Sequence, residues 1–142
     1  MPAGETVAIP NEDREIPGTF VLPEAEGAVP AVLMLHGYGS SADEVGGMYA
    51  SEAEALAEQG VASLRIDFAG MGASEASPLD YHFDSQTSDA AAALDWLLMQ
   101  EGVDPERVGN SEIREDHAPA EADARQPCTA GSSVPHVVAE AV

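Results

Sequence analysis

The sequence AVLMLHGYG, at residues 31–39, begins with five consecutive apolar residues and ends in a glycine-containing loop. An apolar run this short, bounded by Pro30 and by glycines, is typical of a strand buried on both faces rather than of a helix. Glycine lets the chain turn sharply there and lets other groups approach its backbone. Open α/β sheets place their sites at the carboxyl ends of such strands. Residues 36–39 are therefore the first candidate site.

The flanking sequence predicts an α/β fold around this strand. We expect strands at residues 6–9, 15–22, 31–35 and 61–68, and helices at 48–58 and 85–100. A further strand should start within 103–109. The first two strands would form an N-terminal hairpin with a polar turn. Thr87 or Ser88 can cap the second helix, and Asp89 suits its positive end. Alternation of strands and helices indicates right-handed crossovers and a parallel sheet.

Two segments, HGYG at 36–39 and DFAGMGAS at 67–74, give the chain a likeness to a known family. Over residues 5–109 it resembles the α/β-hydrolases, in their esterase, thioesterase and peptidase-like branches. The resemblance implies a partial α/β-hydrolase sheet, with an N-terminal hairpin and parallel strands flanked by helices. It also implies that the Tyr38 N–H donates to the oxyanion of an acyl-transfer intermediate, supported by His36, Gly37 and Gly39. The implied reaction is hydrolysis of carboxylic esters, thioesters or amides without a cofactor.

The nucleophile of that family is missing from the sequence. The family follows the segment RVG, here at 107–109, with an apolar strand and a Gly-x-Ser-x-Gly elbow. This chain continues NSEIRED, which predicts no buried strand, and Ser111 lacks flanking glycines. Ser74, in the string GASEA, lies in the matched loop and is interpreted as a turn serine. We predict a chain without its own nucleophile.

The acid and histidine of the family come late in the chain, where the candidates are Asp116, His117, Asp123 and His136. Residues 114–133 contain no Val, Ile, Leu, Met, Phe, Tyr or Trp, so they bury too little to offset their ordering entropy. We therefore expect a domain at 1–109 and a low-complexity, largely disordered tail at 110–142. A short helix or strand at 134–142 remains open, and no triad is expected to assemble.

Other reactive side chains have structural interpretations that we favour. His36 would pack the turn rather than act as a general base. Asp67 follows a strand and would bind backbone amides of the loop at 70–72 rather than serve as nucleophile or base. His82 and Asp84 do not by themselves make a metal site. We interpret Cys128 as an exposed thiol. We predict no metal and no cofactor.

Charge is the second distinctive property of the chain. Its 26 acidic residues against five basic ones give a formal net charge of −21, and lysine is absent. Repulsion from phosphates disfavours nucleic acid as a partner. The acids are spread along the whole sequence, which favours a protein of a salt-rich, halophilic cytoplasm, where the Debye length is about 3 Å. An ordinary acidic mesophilic protein is the alternative. A single cysteine, no long apolar run and no visible signal peptide fit a cytoplasmic protein without a membrane span.

Two functional interpretations follow. In the first, the chain is the N-terminal part of a serine hydrolase, incomplete through truncation, frameshift or splitting, and takes an acyl substrate only when a missing half completes it. In the second, it is a non-catalytic interaction protein. Without a fifth strand, residues Ala31 to Leu35 would be an exposed apolar edge, and such edges recruit other chains. Self-association or pairing with a complementary fragment would result. The sequence leaves the substrate and the oligomeric state open.

Overall fold

The computed structural model describes residues 4–112 and 136–138. The strands and helices are, in chain order, β1 (Glu5–Asn11), β2 (Arg14–Val21), β3 (Val29–Leu35), α1 (Met48–Glu58), β4 (Ala62–Ile66), α2 (Phe83–Leu98), β5 (Val103–Glu112) and β6 (His136–Val138). Short 3₁₀ turns lie at Val45–Gly47 and Pro78–Asp80. The predicted α/β fold is confirmed, with α1 at its predicted bounds.

The described strands form one sheet in the order β1-β2-β4-β3-β5-β6. The hairpin β1–β2 is antiparallel, and β2 continues antiparallel onto β4. Strands β4, β3 and β5 run parallel to one another, so their carboxyl ends meet at one edge of the sheet. The connection from β3 goes to β4 on one side and the next returns to β5 on the other. Right-handed crossovers then require the two helices to cover opposite faces.

Side chains of β3 alternate between two cores, as a strand buried on both faces requires. Ala31, Leu33 and Leu35 pack in the larger core, which includes Ala93 and Leu97 of α2. The intervening residues, Val32 and Met34, pack in a second core with Tyr49, Ala53 and Ala57 of α1. The apolar run at 31–35 thus forms the centre of the molecule, between two layers of helix.

Strand β5 corrects two expectations. It extends through Glu112 and pairs along β3, with Leu33 opposite Asn110 and Leu35 opposite Glu112. The segment after Gly109 is therefore a strand despite its polar sequence, because the ladder satisfies the backbone whatever the side chains are. The exposed edge predicted for Ala31–Leu35 is also wrong, since β3 has a parallel neighbour on each side.

Helix α2 begins earlier than predicted. His82 is its N-cap, with its Nδ1 accepting a hydrogen bond from the Ser85 N–H while the Ser85 hydroxyl accepts one from the His82 N–H. This reciprocal pair replaces the cap expected at Thr87 or Ser88. Asp89 accordingly lies inside the helix, and it is fully buried.

The tail is described only in part. Residues 110–112 belong to β5, and β6 pairs antiparallel with it, placing His136 opposite Glu112. The remainder of the predicted disordered segment, 113–135 and 139–142, lies outside the described residues. In the part of the chain that is described, no helix combines the length and apolar character needed to cross a bilayer.

Candidate active site

The loops that follow β3 and β4 form the candidate site at the carboxyl edge of the sheet. The Tyr49 hydroxyl donates to the Leu35 carbonyl at 2.9 Å and approaches the Ser111 carbonyl at 3.5 Å, so it ties the ends of β3 and β5 together. The loop after β3 carries the HGYG sequence, and the loop after β4 carries Asp67. Both loops rest on a rigid scaffold, as sites in α/β folds do.

His36 is buried and engaged through both ring nitrogens. The Phe68 N–H donates to Nε2 at 3.1 Å, and Nδ1 lies 2.8 Å from the Gly37 carbonyl oxygen. A backbone N–H can only donate, so Nε2 is the acceptor and the proton of the neutral ring is on Nδ1, which donates to Gly37. The ring also packs edge-on against Phe68 at 4.9 Å. Both ring nitrogens of His36 are thus engaged by the loop backbone, which is consistent with the predicted packing of the turn.

The peptide between Gly37 and Tyr38 is held from its carbonyl side. The Gly37 oxygen receives His36 Nδ1–H and also the Ser40 N–H at 3.2 Å. In a trans peptide the following N–H points away from the carbonyl, so these two donors fix the direction of the Tyr38 N–H. Within residues 4–112 that N–H has no acceptor. The Tyr38 side chain is 69% exposed and its ring lies 5.4 Å from that of Tyr81.

Glu44 completes the loop, a role that the sequence alone did not indicate. Its Oε2 accepts the Gly37 N–H at 2.6 Å, and the residue is buried. Its backbone has φ 59° and ψ 179°, a region occupied almost only by glycine. The signal available in the sequence was an acid in a loop rich in small residues, directly before Val45 and two glycines.

Asp67 joins the two loops. Its Oδ1 accepts the Ala42 N–H at 2.7 Å and its Oδ2 the Ala73 N–H at 3.2 Å, while its own N–H donates to the Pro17 carbonyl. A Cβ at Gly72 would fall on the Asp67 carboxylate. Asp67 therefore has the amide-binding role that we expected, although its partners are Ala42 and Ala73 rather than residues 70–72.

The serines considered as nucleophiles are not paired with an imidazole in the described part of the chain. The Ser74 hydroxyl accepts the Gly70 and Ala76 N–H groups at 3.1 and 3.2 Å, which makes it a turn serine. Ser111 is fully buried, and its hydroxyl has no partner among the described residues. Neither arrangement activates a hydroxyl, since activation requires an adjacent base.

Of the remaining candidates, His82 and Asp84 lie within the described residues. His82 caps α2, and no group of three or more metal-binding side chains occurs within the described residues. Asp116, His117, Asp123 and Cys128 lie outside the described residues, and His136 is described only as part of β6.

A second polar cluster, centred on Asp89, fixes the far side of the loop after β4. Oδ1 of Asp89 accepts from Arg14 at 2.6 Å and from the Asn11 amide at 2.8 Å, and Oδ2 accepts the Ala69 N–H at 2.9 Å. Hydrogen bonding to Asp89 raises the pKa of the Arg14 guanidinium above its ordinary value, against the opposing effect of burial. The cluster ties the hairpin, α2 and the site loop together.

Comparison with known proteins places this geometry in a family. The family model of the X-Pro dipeptidyl-peptidases (S15 family) matches residues 15–111. The uncharacterized protein Rv2307c of Mycobacterium tuberculosis is 32% identical over 109 residues, which are 76% of this chain and 36% of that protein. The chain thus spans about a third of the length of the curated relatives it matches.

Solved structures with the same fold include a dienelactone hydrolase and an acylaminoacyl peptidase. Dienelactone hydrolase from Anabaena variabilis has a TM-score of 0.59 at 27% identity, covering 79% of this chain and 52% of that one. Est1E from Butyrivibrio proteoclasticus, solved with ferulic acid bound, has a TM-score of 0.67 at 20% identity, covering 75% of this chain and 41% of the other. An acylaminoacyl peptidase of Pyrococcus horikoshii scores 0.64 at 21% identity, over 78% and 19% of the two chains. The last two likenesses concern the fold alone.

Proposed function

Because the chain belongs to the X-Pro dipeptidyl-peptidase (S15) family of α/β-hydrolase fold, we propose that it is the oxyanion-loop part of a serine hydrolase. The reaction class is acyl transfer to water from a carboxylic ester, thioester or amide. In this proposal the Tyr38 N–H stabilises the developing oxyanion, and His36, Gly37 and Gly39 shape the loop that presents it. The resemblance to α/β-hydrolases inferred from the sequence is confirmed; the roles of these residues are our proposal.

One observation carries the proposal. The Gly37 carbonyl is held by two donors, so the Tyr38 N–H is oriented before any ligand arrives, at the edge of the sheet where β3 and β5 end. Oriented donors of this kind stabilise charge without the cost of reorganising at the moment of reaction. The chain of hydrogen bonds from Phe68 through His36 to Gly37 also polarises that peptide, which strengthens the N–H as a donor.

We further propose that the chain does not catalyse hydrolysis by itself. Ser74 and Ser111 have the structural environments described above, and the chain covers about a third of its longer relatives. The purified protein in molar KCl is therefore expected not to turn over a p-nitrophenyl ester. Turnover that a serine-directed phosphonate abolishes would refute this part of the proposal.

The oxyanion role has its own test. A monoalkyl phosphonate has tetrahedral anionic oxygens that imitate the acyl-transfer intermediate. Titrated into the ¹⁵N-labelled protein, it should move the Tyr38 amide proton downfield, as hydrogen bonding to an anion does. Tyr38→Ala retains the N–H and should retain binding, whereas Tyr38→Pro removes it and should abolish binding. Equal phosphonate binding by both variants would exclude the role.

The alternative of a non-catalytic interaction protein now needs a different surface. Pairing through Ala31–Leu35 would require displacement of β5, which lies along that strand. An apolar cleft of about 230 Å³ between α2 and the strands β3 and β5, lined by Leu33, Leu35, Leu94 and Val108 among others, is a surface that a partner could cover. Light scattering of the protein alone tests self-association: a monomer at all concentrations would remove that version.

A further inference from the structure

Glu44 has a backbone conformation that its residue type disfavours. At φ 59° and ψ 179°, a side chain is strained and glycine is not. Glycines follow at positions 46 and 47, so small residues are plentiful in this loop. A glutamate held in a glycine conformation is retained only when its surroundings over-determine it. The contacts of its carboxylate therefore have to account for its presence.

The carboxylate makes one short bond, to the amide that opens the site loop. Glu44 Oε2 lies 2.6 Å from the Gly37 nitrogen, in the range of charge-assisted hydrogen bonds. The main chain of Glu44 is fixed as well, because its N–H donates to Ser41 at 2.9 Å and its carbonyl accepts from Gly47 at 3.2 Å. The side chain thus reaches back seven residues from a rigid turn.

Gly37 is consequently held on both sides. Glu44 binds its N–H, and His36 with Ser40 binds its carbonyl. Glycine has the widest choice of backbone conformations, so without an anchor on its N–H it could rotate and carry the next peptide with it. The direction of the Tyr38 N–H therefore depends on Glu44 as well as on the carbonyl donors.

The negative charge of Glu44 distinguishes positioning of the Tyr38 N–H from direct stabilisation of an oxyanion. Within the described residues no arginine or histidine forms an ion pair with Glu44, since Arg65 pairs with the neighbouring Asp43. A negative carboxylate next to the loop repels an oxyanion bound at Tyr38. Its benefit to such an anion can therefore come only through geometry.

We propose that Glu44 is a positioning residue that anchors the Gly37 amide and thereby aims the Tyr38 N–H. The proposal rests on the proposed function in that an aimed donor is useful only where an oxyanion forms. It goes beyond that function by naming a residue whose charge opposes the ligand and whose geometry favours it. Glu44→Gln should therefore not behave like Glu44→Ala.

Three variants and a matched control test this in the ¹⁵N-labelled protein. Glu44→Gln keeps an acceptor oxygen and removes the charge; Glu44→Ala removes both; Glu44→Gly also relieves the backbone strain. Asp43→Ala removes the adjacent acid, whose side chain is 61% exposed, and serves as the control. The readouts are hydrogen exchange at Gly37, the orientation of the Tyr38 N–H from residual dipolar couplings, and phosphonate affinity.

We expect the Ala and Gly variants to exchange the Gly37 amide about tenfold faster or more and to reorient the Tyr38 N–H. We expect Glu44→Gln and the control Asp43→Ala to match the wild type in Gly37 exchange and in Tyr38 N–H orientation. Glu44→Gln should bind phosphonate at least as tightly as the wild type does. Glu44→Gly should unfold at a higher urea concentration than Glu44→Ala, because both lose the acceptor but only glycine relieves the backbone strain. Unchanged Gly37 exchange and unchanged Tyr38 orientation in Ala and Gly would overturn the proposal.

The outcomes distinguish this proposal from the proposed function. Absence of phosphonate binding to the wild type would refute the oxyanion role of Tyr38, while exchange and orientation would still decide the role of Glu44. Should Glu44→Ala fail to fold, the Gln and Gly variants decide. A Gln variant with fast Gly37 exchange and a reoriented Tyr38 N–H would overturn the proposal, because a neutral acceptor would then not suffice.

Discussion

Replacing Asp89 with alanine should destabilise the fold without removing any of the proposed site residues. The change deletes a fully buried carboxylate that receives Arg14, the Asn11 amide and the Ala69 N–H. The buried Ala69 N–H loses its acceptor, which costs about 1–3 kcal/mol. The Arg14 side chain is 27% exposed and regains some water, so loss of its pairing costs less than the several kcal/mol typical of fully buried pairs.

Together these losses give a destabilisation of about 3 kcal/mol. For a folded unit of this size, that lowers Tm by about 12 °C. The assay is urea unfolding in molar KCl, so that surface repulsion is screened, with the free energy taken by linear extrapolation at an unchanged m-value.

Asp95→Ala is the matched control, because it removes an exposed acid from the same helix. A surface substitution of this kind changes the free energy of unfolding by about 0.5 kcal/mol or less. If Asp89→Ala stays within that range of Asp95→Ala, the cluster does not tie the hairpin to α2. A double-mutant cycle with Arg14→Met should show a coupling of about 1–2 kcal/mol; additive losses would contradict the ion pair.

Three further outcomes are expected. Gly72→Ala should lower the free energy of unfolding by about 3 kcal/mol, because the new Cβ meets Asp67 at a positive φ. Gly60→Ala, at a positive φ with open space around it, should lower it by about 1 kcal/mol. Equal losses in urea unfolding would contradict the packing argument. Burial raises the pKa of the Glu52 carboxyl above its ordinary 4.5. The folded state then binds the proton more tightly than the unfolded state, so the contribution of Glu52 to stability falls as pH rises from the unfolded pKa through the folded pKa. Glu52→Gln should therefore raise Tm at neutral pH but not below about pH 4. A pH-independent difference in Tm would exclude this cause. With a formal net charge of −21, Tm should rise steeply from dilute buffer to molar KCl as the Debye length falls to about 3 Å, and a flat response would remove the halophilic interpretation.

Local sequence predicted the parts of the fold that depend on local physics. The run at 31–35 is apolar at every position, as expected of a short strand covered on both faces, and α1 has the same bounds in the structure as in the prediction. The end of β5 could not be found this way, because residues 110–112 are polar and their strand conformation comes from pairing with β3. The start of α2 was misplaced because histidine is an uncommon cap.

The site was predictable only where its motif is contiguous. The sequence located His36 and Asp67, and assigned both to packing and amide binding rather than to catalysis. It missed Glu44, whose carboxylate binds an amide only seven residues earlier, because nothing in the sequence marks that loop contact. It misassigned Asp89 because its partners are distant in sequence: the Ala69 N–H is 20 residues away and Asn11 is 78 residues away. An acid that will be buried looks the same in the sequence as the many acids that remain on the surface.

Three acids are buried in the described part of the chain, Glu44, Asp67 and Asp89, and the way their charges are stabilised has a consequence for the molecule. Each receives at least one main-chain N–H, and among the arginines that the structure describes only Arg14 pairs with one of them, Asp89. Peptide dipoles do not dissociate when the medium is diluted, whereas the mobile cations that shield the outside do. The stability of the buried acids should therefore depend little on salt concentration, whereas that of the acidic surface should depend on it strongly. At low ionic strength we expect the surface segments to unfold locally first and the loops at the carboxyl edge of the sheet to remain folded longest.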